Sequence, residues 1–519
     1  MKTPFNVLDF LDRAELVFGD RIGIVDEPDQ PAGSWGELTW RDVARRARAL
    51  AAGLDALGVG RGERVAIVSQ NSARLLVAMF AVSGYGRVIV PVNFRLNADE
   101  VRYVIEHSGA TVLLVDPELD DALADVRTPH RFVLGEDSDE VLLRFDREPE
   151  PWIDASEDAV ASINYTSGTT ARPKGVELTH RNLYVNALTF GWHAGVDDRD
   201  VYLWAVPMFH CNGWGLVYAI TGMGGRHVIL RKVDGPEILR RIDAQGVTFM
   251  GGAPAVINTV LAAAADFPAR REVPGAGRMR IVVGGAPPPT ATIERVETEL
   301  GWQFNQIYGL TESSPLLTIN RPRAEFDEMS TADRAVALSR AGGPAIGIEM
   351  AVSEQGEVLA RGNVIMAGYW EQPDATADAI HPNVDGRDWF HTGDGGSIDA
   401  DHYVTISDRK KDVIISGGEN VSSIEVEDAL FSHPAVAEVA VVGVPDEKWG
   451  ELVLGLVVLA PGASATEAEL IAYTKTKLAG YKCPKRIEFR DELARTATGK
   501  LQKFKLREPY WAGRARNVN

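Results

Sequence analysis

The 519-residue chain is too long for one ordinary hydrophobic core, so two or more domains are expected. It is 45% hydrophobic and 24% charged, as globular proteins are; 54 basic against 73 acidic residues, a net charge of −19, argue against a nucleic-acid surface and require a local positive site for any anionic substrate. Cys211 and Cys483 stand far apart without C-x-x-C spacing, which implies neither a disulfide framework nor a zinc site.

The opening MKTPFNVLDFLDRAEL is interrupted by acids and lacks a signal-peptide core, and the apolar run over 75–82 is too short to cross a bilayer. No transmembrane segment is expected; the cytoplasm is the expected compartment, with peripheral membrane contact left open. Over 39–57, Val43, Ala47, Leu50, Leu54 and Leu57 recur at helical spacing. Thr39 and Asp42 stand in capping-box register and Gly58 follows, which predicts a helix. A strand is expected over 64–68, a helix over 73–82, a strand over 87–92, a helix capped by Asn97 and running to 105, and a strand over 111–115. This βαβα rhythm predicts a mostly parallel sheet with helices on its faces. Residues 120–150 are charged and weakly patterned, and a peripheral connector is expected there.

An apolar run over 159–163 predicts a buried strand that leads into YTSGTTARPKG, residues 165–175. Backbone N–H groups freed by glycine, with Ser and Thr hydroxyls, can surround phosphate oxygens while a lysine offsets their charge; the alternative is an ordinary polar turn. It is not a Walker loop, because Pro173 stands five residues after Gly168 and Lys174 is followed by Gly175. Nor is Gly58-Val59-Gly60-Arg61-Gly62 a dinucleotide fingerprint, since Glu63 occupies the place of its third glycine.

Beyond this loop a helix is expected over 181–188 and a strand over 202–206, followed by PMFHCNGWG at 207–215. Strand and helix candidates alternate at 228–230, 237–242, 248–250, 281–283 and 304–307. Ligands collect at the carboxyl ends of strands in open α/β sheets, which places GGAPPP (284–289) and YGLTES (308–313) at a site. From about 342, short β-like runs predict a β-rich portion. After SDRKKD (407–412) a small α+β unit is expected, with helices over 423–431 and 467–478, strands over 436–442 and 452–459, and a basic region through Lys505.

These motifs, together with TGD at 392–394, SDRKKDVIISGGEN and TATGK ending at Lys500, resemble in their order the adenylate-forming superfamily of acyl-CoA synthetases, nonribosomal adenylation domains and luciferases. GGENVSSIEVE, YKCPKRIEF and TATGKLQKFKLRE look most like fatty and medium-chain acyl-CoA synthetases. The resemblance implies an α/β fold with a large N-terminal domain over 1–407, a hinge over 408–412 and a mobile α+β lid domain over 413–519. It implies ATP, Mg2+ and coenzyme A: a carboxylate attacks the α-phosphorus of ATP, giving acyl-adenylate and pyrophosphate, and a thiol then displaces AMP.

By the same resemblance Thr166, Ser167, Gly168, Thr169, Thr170 and Lys174 hold the pyrophosphate portion, and Glu312, with Thr166, serves the magnesium ion. Tyr308 offers a face for adenine, Gly285, Ala286 and Pro287 line the same slot with Gly309, Asp394 accepts from the ribose hydroxyls with Arg409 assisting, and Thr311 touches the α-phosphate. Lys500 offsets the charge that develops as carboxylate meets phosphate; on composition alone it is a surface lysine in a basic tail. Lys411 sits at the hinge. Gly417, Gly418 and Glu419 would face a pantetheine tunnel and Trp449, Tyr481 and Lys485 the CoA nucleotide, with surface residues as the alternative. His210 matches a histidine beside the acid and Trp214 a gate tryptophan of long-chain enzymes, against plain structural roles for both.

One departure is Ala171, where many relatives have glycine. The expected activity is an ATP-dependent acyl-CoA ligase for a hydrophobic, fatty-type acid, and the alternative passes the acyl group to a carrier-protein thiol or an amine. The expected partners are a small carboxylic acid and CoA, with no nucleic acid; since some long-chain relatives are dimers, a homodimer is left open.

Overall fold

The computed structural model describes residues 2–166, 172–409, 412–416, 419–446, 449–495 and 501–512. Ser167, Gly168, Thr169, Thr170, Ala171, Lys411, Gly417, Gly418 and Lys500 lie outside the described residues.

Local capping chemistry sets the first helices. Trp40–Ala56 begins with the expected box, in which Thr39 Oγ1 accepts from the Asp42 N–H at 3.1 Å and the Asp42 carboxylate accepts from the Thr39 N–H at 3.1 Å. Asn97 and Glu100 form a second box at the start of Ala98–Ser108, which ends at Gly109 in the left-handed conformation. Ala73–Ser83, capped by Ser72, is apolar but for Arg74 and Ser83 and is buried along its whole length.

These helices pack against two large sheets. The first runs in the order Gly368–Tyr369, Lys174–Thr179, Val160–Thr166, Val88–Val92, Arg64–Val68, Ala110–Val115, His130–Val133, and is parallel from Val160–Thr166 onward. The second runs Gly343–Pro344, Thr318–Asn320, Gln303–Tyr308, Arg280–Val283, Phe249–Gly252, Val201–Trp204, Arg226–Ile229, Ile22–Val25, Glu37–Thr39, with antiparallel pairs at its two ends. One apolar core takes side chains from both sheets, including Ile67, Ile89 and Ala161 from the first and Tyr202, Trp204 and Val282 from the second. The parallel strands therefore present their carboxyl ends, with their loops, around a common centre.

The expected connector over 120–150 is not one. His130–Val133 adds a parallel strand beside Ala110–Val115, and Glu136–Leu142 is a helix whose Asp139 pairs with the buried Arg74 at 2.7 Å. Its charge pattern concealed an edge strand and an acidic helix that gain their stability from tertiary contacts. The β-rich portion forms as expected, as an antiparallel sheet of Ile348–Val352, Glu357–Gly362, Arg387–Ile398 and Ile380–Asn383, with Val404–Arg409 paired to Arg387–Ile398. The C-terminal part has its own sheet, centred on the antiparallel pair Val436–Asp446 and Gly450–Leu459, against which Ser423–Phe431 packs.

Two buried histidines make stability depend on pH. Burial lowers His180 to about 4, with its Nδ1 accepting from the Val7 N–H at 3.2 Å, and lowers His227 to about 3. Unfolded histidines titrate near 6.5, so between there and about 4 the unfolded chain binds protons that the folded one refuses. The stabilising contribution is therefore full above pH 6.5 and is lost on acidification. The apparent thermal midpoint should fall between pH 6.5 and 4, by the equivalent of a few kcal/mol on the order of magnitude. His180→Gln should show a shallower fall; an unchanged slope would contradict the assignment.

Candidate active site

The base of the YTSGTTARPKG loop is held on several sides. Thr166 ends its strand opposite Lys174, which begins the next, in an antiparallel pair. Around them the Tyr103 hydroxyl donates to Pro173 O at 3.1 Å, His107 Nδ1 meets the Tyr165 hydroxyl at 2.8 Å, and the Trp370 N–H donates to Gly175 O at 2.8 Å. The Lys174 ammonium stands 4.6 Å over the ring of Tyr369, whose hydroxyl donates to Glu312 Oε1 at 2.9 Å. Lys174, Tyr369 and Glu312 thus form one continuous line. Burial and the Glu312 charge raise the Tyr369 pKa, so the hydroxyl stays protonated and can donate. Tyr369 went unnoticed in the sequence; its only signal is an aromatic pair closing the β-like run GEVLARGNVIMAGYW.

Beside this line Tyr308 and Asp394 meet. The Tyr308 hydroxyl donates to Asp394 Oδ2 at 2.8 Å, and Arg409 Nε lies 3.3 Å from Asp394 Oδ1. Asp394 is oriented further by its own N–H, which donates to Thr392 Oγ1 at 3.1 Å. A carboxylate can accept several hydrogen bonds, as sugar hydroxyls would require. Gly285, two residues past the end of the Arg280–Val283 strand, takes a positive φ of 87°, and its neighbours Ala286 and Pro287 are partly or fully exposed in the same loop. Gly309 has no room for a side chain, because a Cβ there would run into Pro315 O. Thr311 and Glu312 follow in a single 3-10 turn.

The PMFH segment reaches this turn from the other side. Asn71, also missed in the sequence, clamps its start: Nδ2 donates to Trp204 O, Val206 O and Leu230 O at 2.9, 3.0 and 3.2 Å, and Oδ1 accepts from the Met208 N–H at 2.8 Å. His210 is followed by five consecutive residues of positive φ: Cys211, Asn212, Gly213, Trp214 and Gly215, at 39°, 42°, 57°, 61° and 79°. Such left-handed backbone costs about 1–2 kcal/mol for each non-glycine residue. Buried contacts hold it in place. Asn212 Oδ1 accepts from the Ser162 hydroxyl and its Nδ2 donates to the Tyr218 hydroxyl, each at 3.2 Å; Asn186 Nδ2 donates to Trp214 O at 3.3 Å; the Cys211 thiol approaches Thr311 O at 3.8 Å. His210 is thereby set next in chain to a residue that touches the YGLTES turn.

In the C-terminal part the residues expected at the hinge make a dense cluster. Asp408 Oδ2 accepts from the Ser423 N–H at 2.8 Å and its hydroxyl at 2.5 Å, Lys503 Nζ pairs with Glu427 at 2.8 Å and also reaches the Ser423 hydroxyl, and Arg507 pairs with Asp412 at 2.6 Å. Thr290, just past GGAPPP, donates through N–H and hydroxyl to Asp428 at 2.8 and 3.2 Å. Of the expected CoA contacts, Lys485 Nζ stands 5.8 Å over Trp449, and Tyr481 and Glu419 are exposed. These gather on the small unit rather than with the nucleotide residues.

Among the described residues no group of three or more His, Cys, Asp or Glu side chains is placed to cage a metal. One carboxylate, Glu312, with the Thr166 hydroxyl at the end of its strand, would instead suit a Mg2+ that arrives with the phosphates. The ion would offset charge on the transferred phosphates.

The sequence profile of the AMP-binding enzyme family matches residues 11–370, and that of the AMP-binding enzyme C-terminal domain matches 425–500. The chain is 36% identical to a probable peroxisomal acyl-activating enzyme 5 of Arabidopsis thaliana, over 97% of this chain and 96% of the relative. It is 35% identical to a 2-methylpropanoate–CoA ligase of Humulus lupulus, over 98% and 95%. Among solved structures, the anthranilate CoA ligase AuaEII in complex with anthranoyl-AMP superposes with a TM-score of 0.86 at 25% identity, over 98% of both chains. With these matches spanning both the large and the small unit, the chain belongs to the AMP-binding enzyme family and is an adenylate-forming enzyme.

Proposed function

We propose that this protein is an ATP- and magnesium-dependent, AMP-forming ligase that joins an apolar carboxylic acid to coenzyme A. The observation that carries the reading is the line from Lys174 through Tyr369 to Glu312, set beside the Tyr308–Asp394–Arg409 contact at the carboxyl ends of the strands. The first group suits a polyphosphate with its metal; the second suits a nucleoside, with Asp394 on the ribose and the Tyr308 ring, held by its hydroxyl, against the base. His210 and the loop after Arg280–Val283 would hold the acid where its carboxylate can attack the α-phosphorus, and Lys500 would offset the charge that builds there.

The acid is taken to be apolar because the segment beyond His210 is walled by Trp204, Val206, Trp214 and Ile307, all in the core. One relative is named for 2-methylpropanoate, an acid of that kind. The division into a domain over 1–407, a hinge over 408–412 and a lid over 413–519 belongs to this reading, since the cluster of Asp408, Asp412, Glu427, Lys503 and Arg507 sits at that junction. Among the described residues no helix is long and apolar enough to cross a membrane; the cytoplasm remains the proposed compartment.

The test is the acceptor. Purified protein with ATP, Mg2+, an apolar acid and CoA should give acyl-CoA, AMP and pyrophosphate with no other protein present. Adenylate that accumulates in the presence of CoA and is discharged by a carrier protein or an amine would transfer the reading to those acceptors.

A further inference from the structure

We propose that Glu357 is a positioning residue for the nucleotide: it holds the strand bulge that aims Asp394 at the ribose, an inference that rests on the role of Asp394 in the ligase reading above. The TGD segment does not run straight through its sheet. Glu357 pairs with Gly395 and Leu359 with His391, so Thr392, Gly393 and Asp394 together stand opposite Val358 alone. Gly393 turns the chain there at a positive φ of 74°. A bulge leaves backbone groups without ladder partners, and its shape depends on what meets them.

Side chains meet them here. The Thr392 hydroxyl donates to Val358 O at 2.7 Å and accepts from the Asp394 N–H at 3.1 Å, while the Gly393 N–H donates to Glu357 Oε1 at 2.9 Å. Glu357 is buried and fixed at both ends. Its backbone is held by Ser353, whose N–H donates to Glu357 O at 2.8 Å and whose hydroxyl accepts from the Glu357 N–H at 3.1 Å. Its second carboxylate oxygen lies 3.2 Å from His391 Nδ1. Asn383 Nδ2, which can only donate, stands 3.4 Å from His391 Nε2, and this leaves Nδ1 to donate to Glu357. Tyr308 and Arg409 hold the Asp394 side chain, and Glu357 sets the backbone from which it projects. Without the carboxylate at 357 the Gly393 N–H loses its acceptor, and the bulge is free to shift the residue that follows.

The experiment measures acyl-CoA formation by the full-length enzyme from ATP, 2′-deoxy-ATP and 3′-deoxy-ATP, with whichever of butanoate, hexanoate, octanoate and dodecanoate the wild type uses best. A site built to hydrogen-bond a hydroxyl rejects the analogue that lacks it, so wild-type kcat/KM should favour ATP over at least one deoxy analogue by about a hundredfold or more. Glu357→Ala should lower kcat/KM for ATP at least about tenfold and that for the same analogue by less than about threefold, with KM for the acid and for CoA unchanged. The preference for the hydroxyl therefore shrinks. Glu357→Gln, which reaches Gly393 with a neutral oxygen, should keep the preference. Glu357→Asp, which keeps the charge but is one methylene short, should lose it as the alanine variant does, and it covers the case in which the alanine variant does not fold. Equal losses with ATP and the deoxy analogues in a folded Glu357→Ala or Glu357→Asp enzyme, or a glutamine variant as unselective as alanine, would overturn the positioning role. A wild type indifferent to both ribose hydroxyls overturns it as well and leaves the ligase reading intact. Pyrophosphate release from ATP with none of the acids would overturn the ligase reading itself.

Discussion

Lys500→Ala should abolish adenylate formation, lowering acid-dependent exchange of pyrophosphate into ATP by at least about a thousandfold, because preorganised charge at the reacting centre is among the largest contributions to catalysis. The same variant should keep most of its thioester-forming rate when supplied with acyl-adenylate and CoA. The asymmetry follows from assigning the lysine to one half-reaction, after which the proposed lid domain would turn and withdraw it. The described flanks of this segment suit such a movement. Arg495 and Leu501 are bridged, Gln502 donates to Ala494 O at 2.8 Å, and the helix that follows ties the segment through Lys503 to Glu427 and through Arg507 to Asp412, beside the proposed hinge. The described residues that follow the segment are thus joined to Glu427 and Asp412 in one cluster, which a rotation at 408–412 would carry together. Equal loss of the two half-reactions in Lys500→Ala would sink the rotation account.

Glu312→Ala should lower kcat/KM by about a hundredfold or more and raise the Mg2+ concentration needed for half-maximal activity, since among the described residues no cluster of three or more ligands is placed to hold the ion instead. Glu312→Gln should behave almost as badly. It keeps an acceptor for the Tyr369 hydroxyl but loses the charge. Tyr369→Phe removes one hydrogen bond, worth about 1 kcal/mol, and leaves the ring under Lys174, so its activity should fall by only about tenfold. A Glu312→Ala enzyme with an unchanged Mg2+ requirement would remove the metal from this residue, and a Tyr369→Phe enzyme as damaged as Glu312→Ala would show that the tyrosine does more than orient the carboxylate.

What could be read from the sequence was whatever depends on residues close together in the chain. The boxes at Thr39 and Asn97, the buried helix after Ser72 and the helix Ser423–Phe431 form where local caps and periodicity place them. Gly285, Tyr308 and Glu312 lie at or just past the carboxyl ends of two adjacent parallel strands, which suffices to bring them to one edge of their sheet, whereas Lys174 begins an antiparallel strand of the other sheet. What escaped depends on partners distant in the chain. Tyr369 reaches Glu312 across 57 positions and Asn71 reaches the PMFH segment across more than 130. His130–Val133 is a strand because Ala110–Val115 offers it an edge, not because its own four residues demand it. The left-handed run 211–215 contains two glycines and an asparagine, the residue types that tolerate it, yet Cys211 and Trp214 adopt it only because the core around them leaves no other arrangement.

The most direct test of the account is acid-dependent exchange of labelled pyrophosphate into ATP by the purified protein in the absence of CoA. The account predicts exchange with an apolar acid that stops when Mg2+ is chelated and gives way to net acyl-CoA and AMP when CoA is added. No exchange with any carboxylic acid, or exchange that does not depend on the acid, would contradict it.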